Sequence, residues 1–455
     1  MNYSNLSSEA QTASEPRVLL TNTIRWATGA RVAIGLAQAD CNVFAICPSR
    51  HPMLKTSAAR QTFAYSGVRP LDSLLTAIKA SDPHIIIPCD DRGVQHLHEL
   101  YEHACKQEAS GSKLAALIER SLGSPASYPI VSSRYELLKI ARDEGIRVPH
   151  THPILAVDDL KALDGEQTLP WVLKADGTWG GGGVKIAQTP AEAEQFFVEL
   201  SRAFGVKRVI KRLCVNRDSF WLRPWWRRFR PAVIAQAYIQ GCPANCAVVC
   251  WQGKVLAGIG VEVVSAQERT GPASVVRVVD NREMMFAAKQ LARRLGLSGI
   301  FGLDFVIEDR TGAAYLIEMN PRCTPLCHLQ LGKGRDMARA LWAQLSGEPI
   351  PDTSPITQND VIAYFPQAWI SKSEYLQSSF HDVPQGEPDL VQELLQPWPD
   401  RSFLFRVFSL LHQITNPTSK ARALTAPDLR ELKLGKDQTS DRQLQESRCA
   451  KARTS

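Results

Sequence analysis

Glu318, Asn320 and Arg322, in the stretch "LIEMNPR" (316–322), set a carboxylate, an amide and a guanidinium at alternate positions. In a strand, alternate residues share one face, and such a trio is costly to bury without something to pair with it. A second apolar run, "IFGLDFVI" (300–307), precedes it across the turn-forming "EDRTG". A hairpin pairing Asp304 with Glu318 puts Leu303, Phe305, Ile307, Tyr315, Ile317 and Met319 on one apolar face. It also brings the two acidic Cβ atoms to about 5 Å. Opposed carboxylates repel unless a cation lies between them. Two carboxylates and an amide oxygen suit a hard divalent ion, and Mg²⁺ takes one or two carboxylates together with substrate phosphates. Arg322, on the same side, could grip a phosphate oxygen by paired hydrogen bonds. The face reads as a magnesium–nucleotide site; the plain alternative is a solvated strand face with an incidental acid pair.

About 120 residues upstream, "DGTWGGGGV" (176–184) carries Gly180, Gly181, Gly182 and Gly183 in a row between two strand-like segments. Such a loop lets backbone N–H groups approach phosphates and can fold over them as a flap. It is not a P-loop, because no GK[ST] follows and no helix begins there. Lys174, just before it, is placed to neutralise α/β-phosphate charge. On its own the loop is equally a flexible hairpin turn; together with the acidic hairpin it strengthens the nucleotide reading.

The elements that must position these groups begin with "RVLLTN" (17–22), "CNVFAICPS" (41–49) and "HIIIPCDD" (84–91), three apolar strands alternating with helices such as "LDSLLTAIKASD". That alternation predicts a parallel sheet, whose ligands sit beyond the strands' C-terminal ends. Asp90 and Asp91 stand at such an end, able to bind an amine or to cap a helix starting near Val94. "LPWVLKADGTWGGGGVKIA" (169–187) reads as strand, turn and strand, followed by a helix from Ala191 to Phe204. "AVIAQAYI" (232–239) is a strand, and "CAVVCWQGKVLAGIGVEVV" a hairpin turning at Gln252 and Gly253. "NREMMFAAKQLARRLGLSG" is an amphipathic helix, and beyond residue 350 prolines punctuate what read as short helices.

From about 130 to 350 the order of a basic residue, a strand lysine, a glycine-rich loop, a hinge strand, an acid and E-x-N-P-R resembles the ATP-grasp superfamily. Its members include D-alanine–D-alanine ligase, carbamoyl-phosphate synthetase and biotin carboxylase. The resemblance implies an α/β N-terminal domain with a parallel sheet of the pre-ATP-grasp type, over residues 17–128. An α+β ATP-grasp domain follows over 129–350, its flap-bearing subdomain at 129–235 and its metal-binding subdomain at 236–350. A disordered N-terminus (1–16), an appended helical region (351–419) and a polar basic tail (420–455) complete the expected division. By the same resemblance Arg134 and Lys174 contact phosphates, Asp304, Glu318 and Asn320 hold Mg²⁺ (or Mn²⁺), and Arg322 binds phosphate. Arg269 lies near the transferred phosphoryl group, and the backbone around Gln236 and Ile239 receives adenine. Relatives often carry acids at the hinge and just after it, where this chain has Gln236, Ala237 and Ala244. The implied activity is ATP-dependent phosphorylation of a carboxylate to an acyl phosphate, then displacement by an amine, with small-molecule substrates and a homodimer as an open option. Rival readings are a carboxylase-type or carbamoyl-transferring enzyme and a protein that binds ATP without turnover.

Composition bounds the rest. The chain has 455 residues, 44% hydrophobic and 22% charged, with a formal charge of +7. Residues 211–230 contribute +6 and 420–455 contribute +4, leaving −3 elsewhere. A nucleic-acid binder would spread its basic residues over a face, so no nucleic-acid partner is expected. No apolar run reaches membrane-spanning length, the N-terminus lacks a secretory pattern, and 11 scattered cysteines fit reduced thiols, so a cytoplasmic protein is expected. The Trp/Arg-rich segment 211–231, with Trp221, Trp225 and Trp226, suits peripheral membrane contact, an acidic substrate, or an insertion packing its aromatics inward. Cys242, Cys246 and Cys250 lack the paired CxxC of a zinc site. Cys323, Cys327 and His328 follow the phosphate arginine and read as wall or packing. The stretch 402–414 reads as an amphipathic helix docking on the body.

Overall fold

The computed structural model describes residues 15–107, 111–164, 168–177, 183–202, 231–266, 272–351 and 354–396. The expected termini 1–14, the Trp/Arg-rich stretch 211–230, the helix over 402–414 and the tail 420–455 lie outside the described residues.

The first layer is a four-stranded sheet of β1 (Arg17–Thr21), β2 (Asn42–Cys47), β3 (Gln61–Ala64) and β4 (Ile85–Pro88), in the order β3-β2-β1-β4 and parallel throughout. Its central strands are uninterrupted apolar runs because helices cover both faces of such a sheet. Leu19, Ile46 and Ile86 meet the helices Pro70–Ser81, Asp91–Cys105 and Ser112–Leu122 on one side. On the other side, Val18, Leu20 and Ile87 share a core with Val32 and Leu36 of the helix Thr28–Gln38 and with Ala247, Ile259 and Leu341 from much later in the chain. Asp90 caps the helix Asp91–Cys105, so that helix begins at Asp91, three residues before the expected Val94.

A second, antiparallel sheet has the order β5-β8-β6-β7, formed by β5 (Thr151–Ile154), β6 (Trp171–Ala175), β7 (Val184–Ala187) and β8 (Val233–Ala237). It has its own core, with Trp171 fully buried beside Phe197 and Leu200 of the helix Pro190–Leu200. That helix stops at Leu200, short of the expected Phe204. Leu137, Leu138 and Ala141 of the helix Arg134–Asp143 pack on the third sheet, where they find a larger apolar face.

The third sheet has seven strands in the order β13-β12-β9-β10-β11-β14-β15. They are β9 (Gly241–Trp251), β10 (Lys254–Ala266), β11 (Ala273–Val278), β12 (Gly299–Glu308), β13 (Ala314–Asn320), β14 (Val361–Tyr364) and β15 (Phe380–Asp382). The turn between β9 and β10 falls on Gln252 and Gly253 at φ 46° and 82°, both left-handed as a tight hairpin of this twist requires. The amphipathic helix Arg282–Leu295 is capped by Asn281, closes on Gly296 at φ 59°, and covers one face of the sheet. Cys246 and Cys250 lie in the core beneath it, and burial pushes the Cys246 thiol up to about 12. The region after 350 contains short helices, Gln367–Ile370 and Pro388–Leu395, and adds two strands as well. "VIAY" and "FHD" are short but apolar enough to extend the sheet as β14 and β15.

The β12–β13 hairpin keeps Asp304 opposite Glu318 and Leu303 opposite Met319, but the register then slips, pairing Phe305 with Leu316. Ile317 is the extra residue of a β-bulge, and a one-residue slip turns every later side chain to the other face. Ala314 and Leu316 are therefore buried with Leu303 and Phe305. Tyr315 and Ile317, expected on that face, are only half-buried, and Ile317 lines a cleft instead. No helix among the described residues is long and apolar enough to cross a membrane.

His51 supplies a measurable handle on the first layer. Its Nδ1 accepts the Met53 N–H at 3.0 Å, and the ring is 1% exposed. Burial, and then the charge of Arg25, depress its pKa from 6.5 to about 3. The unfolded chain therefore takes up this proton first, so the stability held by the neutral ring is complete above about pH 6.5 and lost as pH falls toward 3. Between pH 7 and pH 5 this ring should cost the protein about 2 kcal/mol of unfolding free energy. Denaturant titrations of His51→Gln should show a correspondingly smaller acid loss; an equal loss in both proteins would refute the assignment.

Candidate active site

The three sheets converge on a cleft of about 620 Å³. Of the sequence-predicted residues it takes in Arg134, Lys174, Gly183, Gln236 and Ile239 on one side. Asp304, Glu318, Asn320 and Arg322 line it on the other. Gly180, Gly181, Gly182 and Arg269 lie outside the described residues.

The carboxylates come first, because everything else compensates them. Asp304 sits on β12 with Asn245 of β9 on one flank and Glu318 of β13 on the other. Its Oδ1 accepts from Asn245 Nδ2 and its Oδ2 from Asn320 Nδ2 at 2.9 Å. Burial, and then the Glu318 charge, push the Asp304 pKa above the usual carboxylate range, while the two amides pull it back. Glu318 accepts a hydrogen bond from Arg134 Nη2 at 2.7 Å. Arg134 opens its helix, capped by Ser133, and its Nη1 donates to Ala175 O at 2.7 Å and Asp176 Oδ1 at 3.3 Å. The guanidinium thus ties the end of β6 to β13. Burial lowers its pKa, but Glu318 and Asp176 outweigh that and raise it.

Lys174 is buried, and its Nζ donates to Ile317 O at 3.3 Å, the carbonyl of the bulged residue. Desolvation brings its pKa down to about 8, opposed by Glu318 and Asp304 and assisted by Arg134. Arg322 is held from three directions. Nε donates to Asp91 Oδ2 at 2.9 Å, Nη1 to Cys323 O at 3.1 Å and Nη2 to Asn320 Oδ1 at 3.1 Å. Each terminal nitrogen carries a second N–H, so two donors remain for an anion. At the hinge, the N–H groups of Ala237 and Tyr238 are committed to His150 O and Pro170 O, whereas that of Ile239 has no partner among the described residues. Gln236 is buried, its Nε2 donating to Thr151 Oγ1 at 3.3 Å.

The donor set fits a hard divalent cation. Asp304 and Glu318 offer opposed carboxylate oxygens, the buried Asn245 Oδ1 has no hydrogen-bond partner, and Asn320 could present its oxygen by a half-turn of its amide. No three His, Cys, Asp or Glu side chains cluster as a metal site among the described residues. A cation here would therefore draw its remaining ligands from substrate or water, as Mg²⁺ does with phosphates.

Sequence reasoning missed Asn245 and Asp176 as members of this network, and it offered Asp91 as an amine site or a helix cap without its link to Arg322. Asp176 carried a signal, since it lies two residues from Lys174 and so on the same side of β6. Asn245 carried none, because its partner lies 59 residues away; Asp91 was marked by its place after a strand, but its partner Arg322, 231 residues away, was not foreseen. The two acids after β4 have parted. Asp90 is consumed by Thr23 N at 2.6 Å, Thr23 Oγ1 at 2.7 Å and Gly93 N at 2.9 Å. Asp91 faces the cleft. Cys323 and Cys327 are buried, and burial raises the Cys327 thiol well above its ordinary range, as befits packing rather than nucleophilic chemistry. His328 is outside the cleft, its Nε2 against the Asp382 carboxylate at 2.9 Å and within 3.2 Å of Arg31 Nη2.

If Arg134 is the counter-charge that lets Glu318 and Asp176 stand at the cleft, Arg134→Met should cost about 2–4 kcal/mol of stability. Pairing it with Glu318→Gln should cost less than the sum of the two single changes. Denaturant midpoints of the four proteins in the cycle provide the measurement; strict additivity would show that the ion pair carries no coupling.

No curated protein matches the chain. Residues 131–325 match a family model described as an ATP-grasp domain. Solved structures of similar fold include carboxyaminoimidazole ribonucleotide synthase from Aspergillus clavatus in complex with ATP, with a TM-score of 0.52, 13% identity and coverage of 76% of this chain and 80% of that one. Biotin carboxylase from Campylobacter jejuni has a TM-score of 0.52 and 14% identity, covering 76% and 74%. The biotin carboxylase domain of Hydrogenobacter thermophilus 2-oxoglutarate carboxylase, with MgADP and bicarbonate, has a TM-score of 0.50 and 16% identity, covering 74% and 71%.

Proposed function

We propose that the chain, whose residues 131–325 match a model of the ATP-grasp domain, is an ATP-dependent ligase, phosphorylating a carboxylate to an acyl phosphate and joining it to an amine. The observation that carries this reading is the convergence of Arg134, Lys174 and Arg322 on the same cleft as the opposed Asp304 and Glu318. Cations and paired acids on facing walls suit a polyphosphate–metal complex better than a neutral ligand.

In this reading Asp304, Glu318 and Asn320 would hold Mg²⁺, which supplies charge neutralisation at the phosphates. Arg134 and Lys174 bind phosphate oxygens, with Arg134 giving up part of its contact with Glu318 as the nucleotide arrives. The family resemblance assigns the glycines 180–183 to the phosphates and Arg269 to the transferred group. The Ile239 N–H is the hinge donor left to read adenine, and the apolar neighbours Pro149, Val172 and Ile186 form walls for the base. Arg322, with two N–H groups to spare, holds the phosphoryl oxygens while the carboxylate oxygen attacks phosphorus and ADP departs. The neutral amine then adds to the acyl carbon, the C–O bond to phosphate breaks, phosphate leaves with the electron pair, and the surplus proton on nitrogen passes to the departing phosphate. Closure over the cleft protects the acyl phosphate from water.

ADP release should be measured with MgATP over a panel of amino acids, other carboxylates and bicarbonate, with primary amines as acceptors. Glu318→Gln should lower substrate-dependent turnover at least about 100-fold in protein that still melts cooperatively. Undiminished turnover in that variant would remove the metal role and the ligase with it.

A further inference from the structure

Asp91 has a duty that its place in the cleft leaves half-performed. It is the first residue of the helix Asp91–Cys105, and Asp90 already caps that helix, so Asp91 is not needed there. Its Oδ2 receives Arg322 Nε at 2.9 Å, and that guanidinium is the only described partner of its side chain. An acid serving only to hold an arginine does best with both oxygens on the guanidinium and both sheltered. Here one oxygen is engaged, and the side chain is 30% exposed on the cleft wall.

The surroundings favour a cation at the other oxygen. Arg322 already directs its Nε edge at Asp91, its Nη2 to Asn320 and its Nη1 to Cys323 O. Its two remaining N–H groups serve an anion. The cleft that Asp91 lines also takes in Trp26, Val94, Gln95, Leu326 and Gln367, apolar or neutral polar groups, besides the cations Arg134, Lys174 and Arg322. Gln367 Oε1 is a buried acceptor with no hydrogen-bond partner. Acceptors without donors call for a ligand that brings N–H groups.

We propose that Asp91 receives the ammonium group of the amine substrate, which makes the acceptor a protonated primary amine carried on a compact, largely apolar body. This rests on the ligase reading above and adds the chemical class of its second substrate. One carboxylate shared between Arg322 and the amine sets the nitrogen beside the phosphoryl group that Arg322 holds, and the ammonium becomes the nucleophile by giving one proton to solvent water. The parallel-sheet layer thereby supplies the amine site, and the third sheet supplies the phosphate site.

The experiment compares two nucleophiles on wild type, Asp91→Asn and Asp91→Glu, each checked for folding by thermal melt. Each protein receives MgATP and the carboxylate panel. Hydroxylamine, neutral at pH 7.5, traps acyl phosphate as hydroxamate without needing an ammonium site. Primary aliphatic amines and amino acids report the complete reaction. Asp91→Asn should raise the KM for amine at least about 30-fold, with hydroxamate formation lowered at most about fivefold through Arg322, and Asp91→Glu should recover most of the amine KM. A parallel fall in both reactions would mean that Asp91 acts only through Arg322, and an unchanged amine KM would mean that the amine binds elsewhere; either overturns the assignment alone. Absence of hydroxamate from the wild-type protein would overturn the ligase reading and this inference with it.

Discussion

Asp304 and Glu318 face each other across the β12–β13 ribbon, and their mutual repulsion organises what surrounds them. Two negative charges about 5 Å apart repel by about 3 kcal/mol at an effective dielectric of about 20. The fold accepts this by surrounding the pair with donors. Asn245 and Asn320 serve Asp304, and Arg134 serves Glu318. Each donor comes from a different element, so the acids act as a hub that fixes β9, β13 and the helix Arg134–Asp143 relative to one another. The bulge at Ile317 belongs to the same arrangement. By adding one residue beside the acids it aims the Ile317 carbonyl at Lys174 and returns the rest of β13 to the core.

The cations are held with equal economy. Arg134, Lys174 and Arg322 each approach from a different part of the chain, and each is buried enough to be costly without its acids. Lys174, desolvated toward a neutral amine, is the least settled of the three and the most responsive to added negative charge. Such a group is poised to become fully charged when a polyanion enters.

Much of this was legible before any coordinates, and the reason is locality. The Asp304–Glu318 pairing lies within one hairpin, where period-2 alternation and a short turn fix the register. The Gln252–Gly253 turn and the capped helix after Asn281 are likewise written in neighbouring residues. What escaped depends on distant partners or on one-residue irregularities. A bulge leaves no trace in hydrophobic alternation until its partner strand is known, so Tyr315 and Ile317 were expected on the wrong face. Strands of three or four residues, such as β14 and β15, fall below the length at which a pattern can be told from a loop. Asp91 offered two uses from sequence, and only its distance from Arg322 separates them.

The same distribution over the chain bears on how the molecule is made. Arg31 lies buried in the first layer, and its carboxylate partner, Asp382 on β15, is 351 residues further along. During synthesis Arg31 therefore stays without its carboxylate until nearly the whole described chain has been made, and the elements that bury it arrive together with that partner. That layer, closed early around its own parallel strands, is electrostatically unfinished until β15 docks beside β14 and brings Asp382 to both Arg31 and His328. A nascent chain arrested before that strand would lack the Arg31–Asp382 pair and keep an open sheet edge at β14, which are marks by which quality control could tell an incomplete molecule from a finished one.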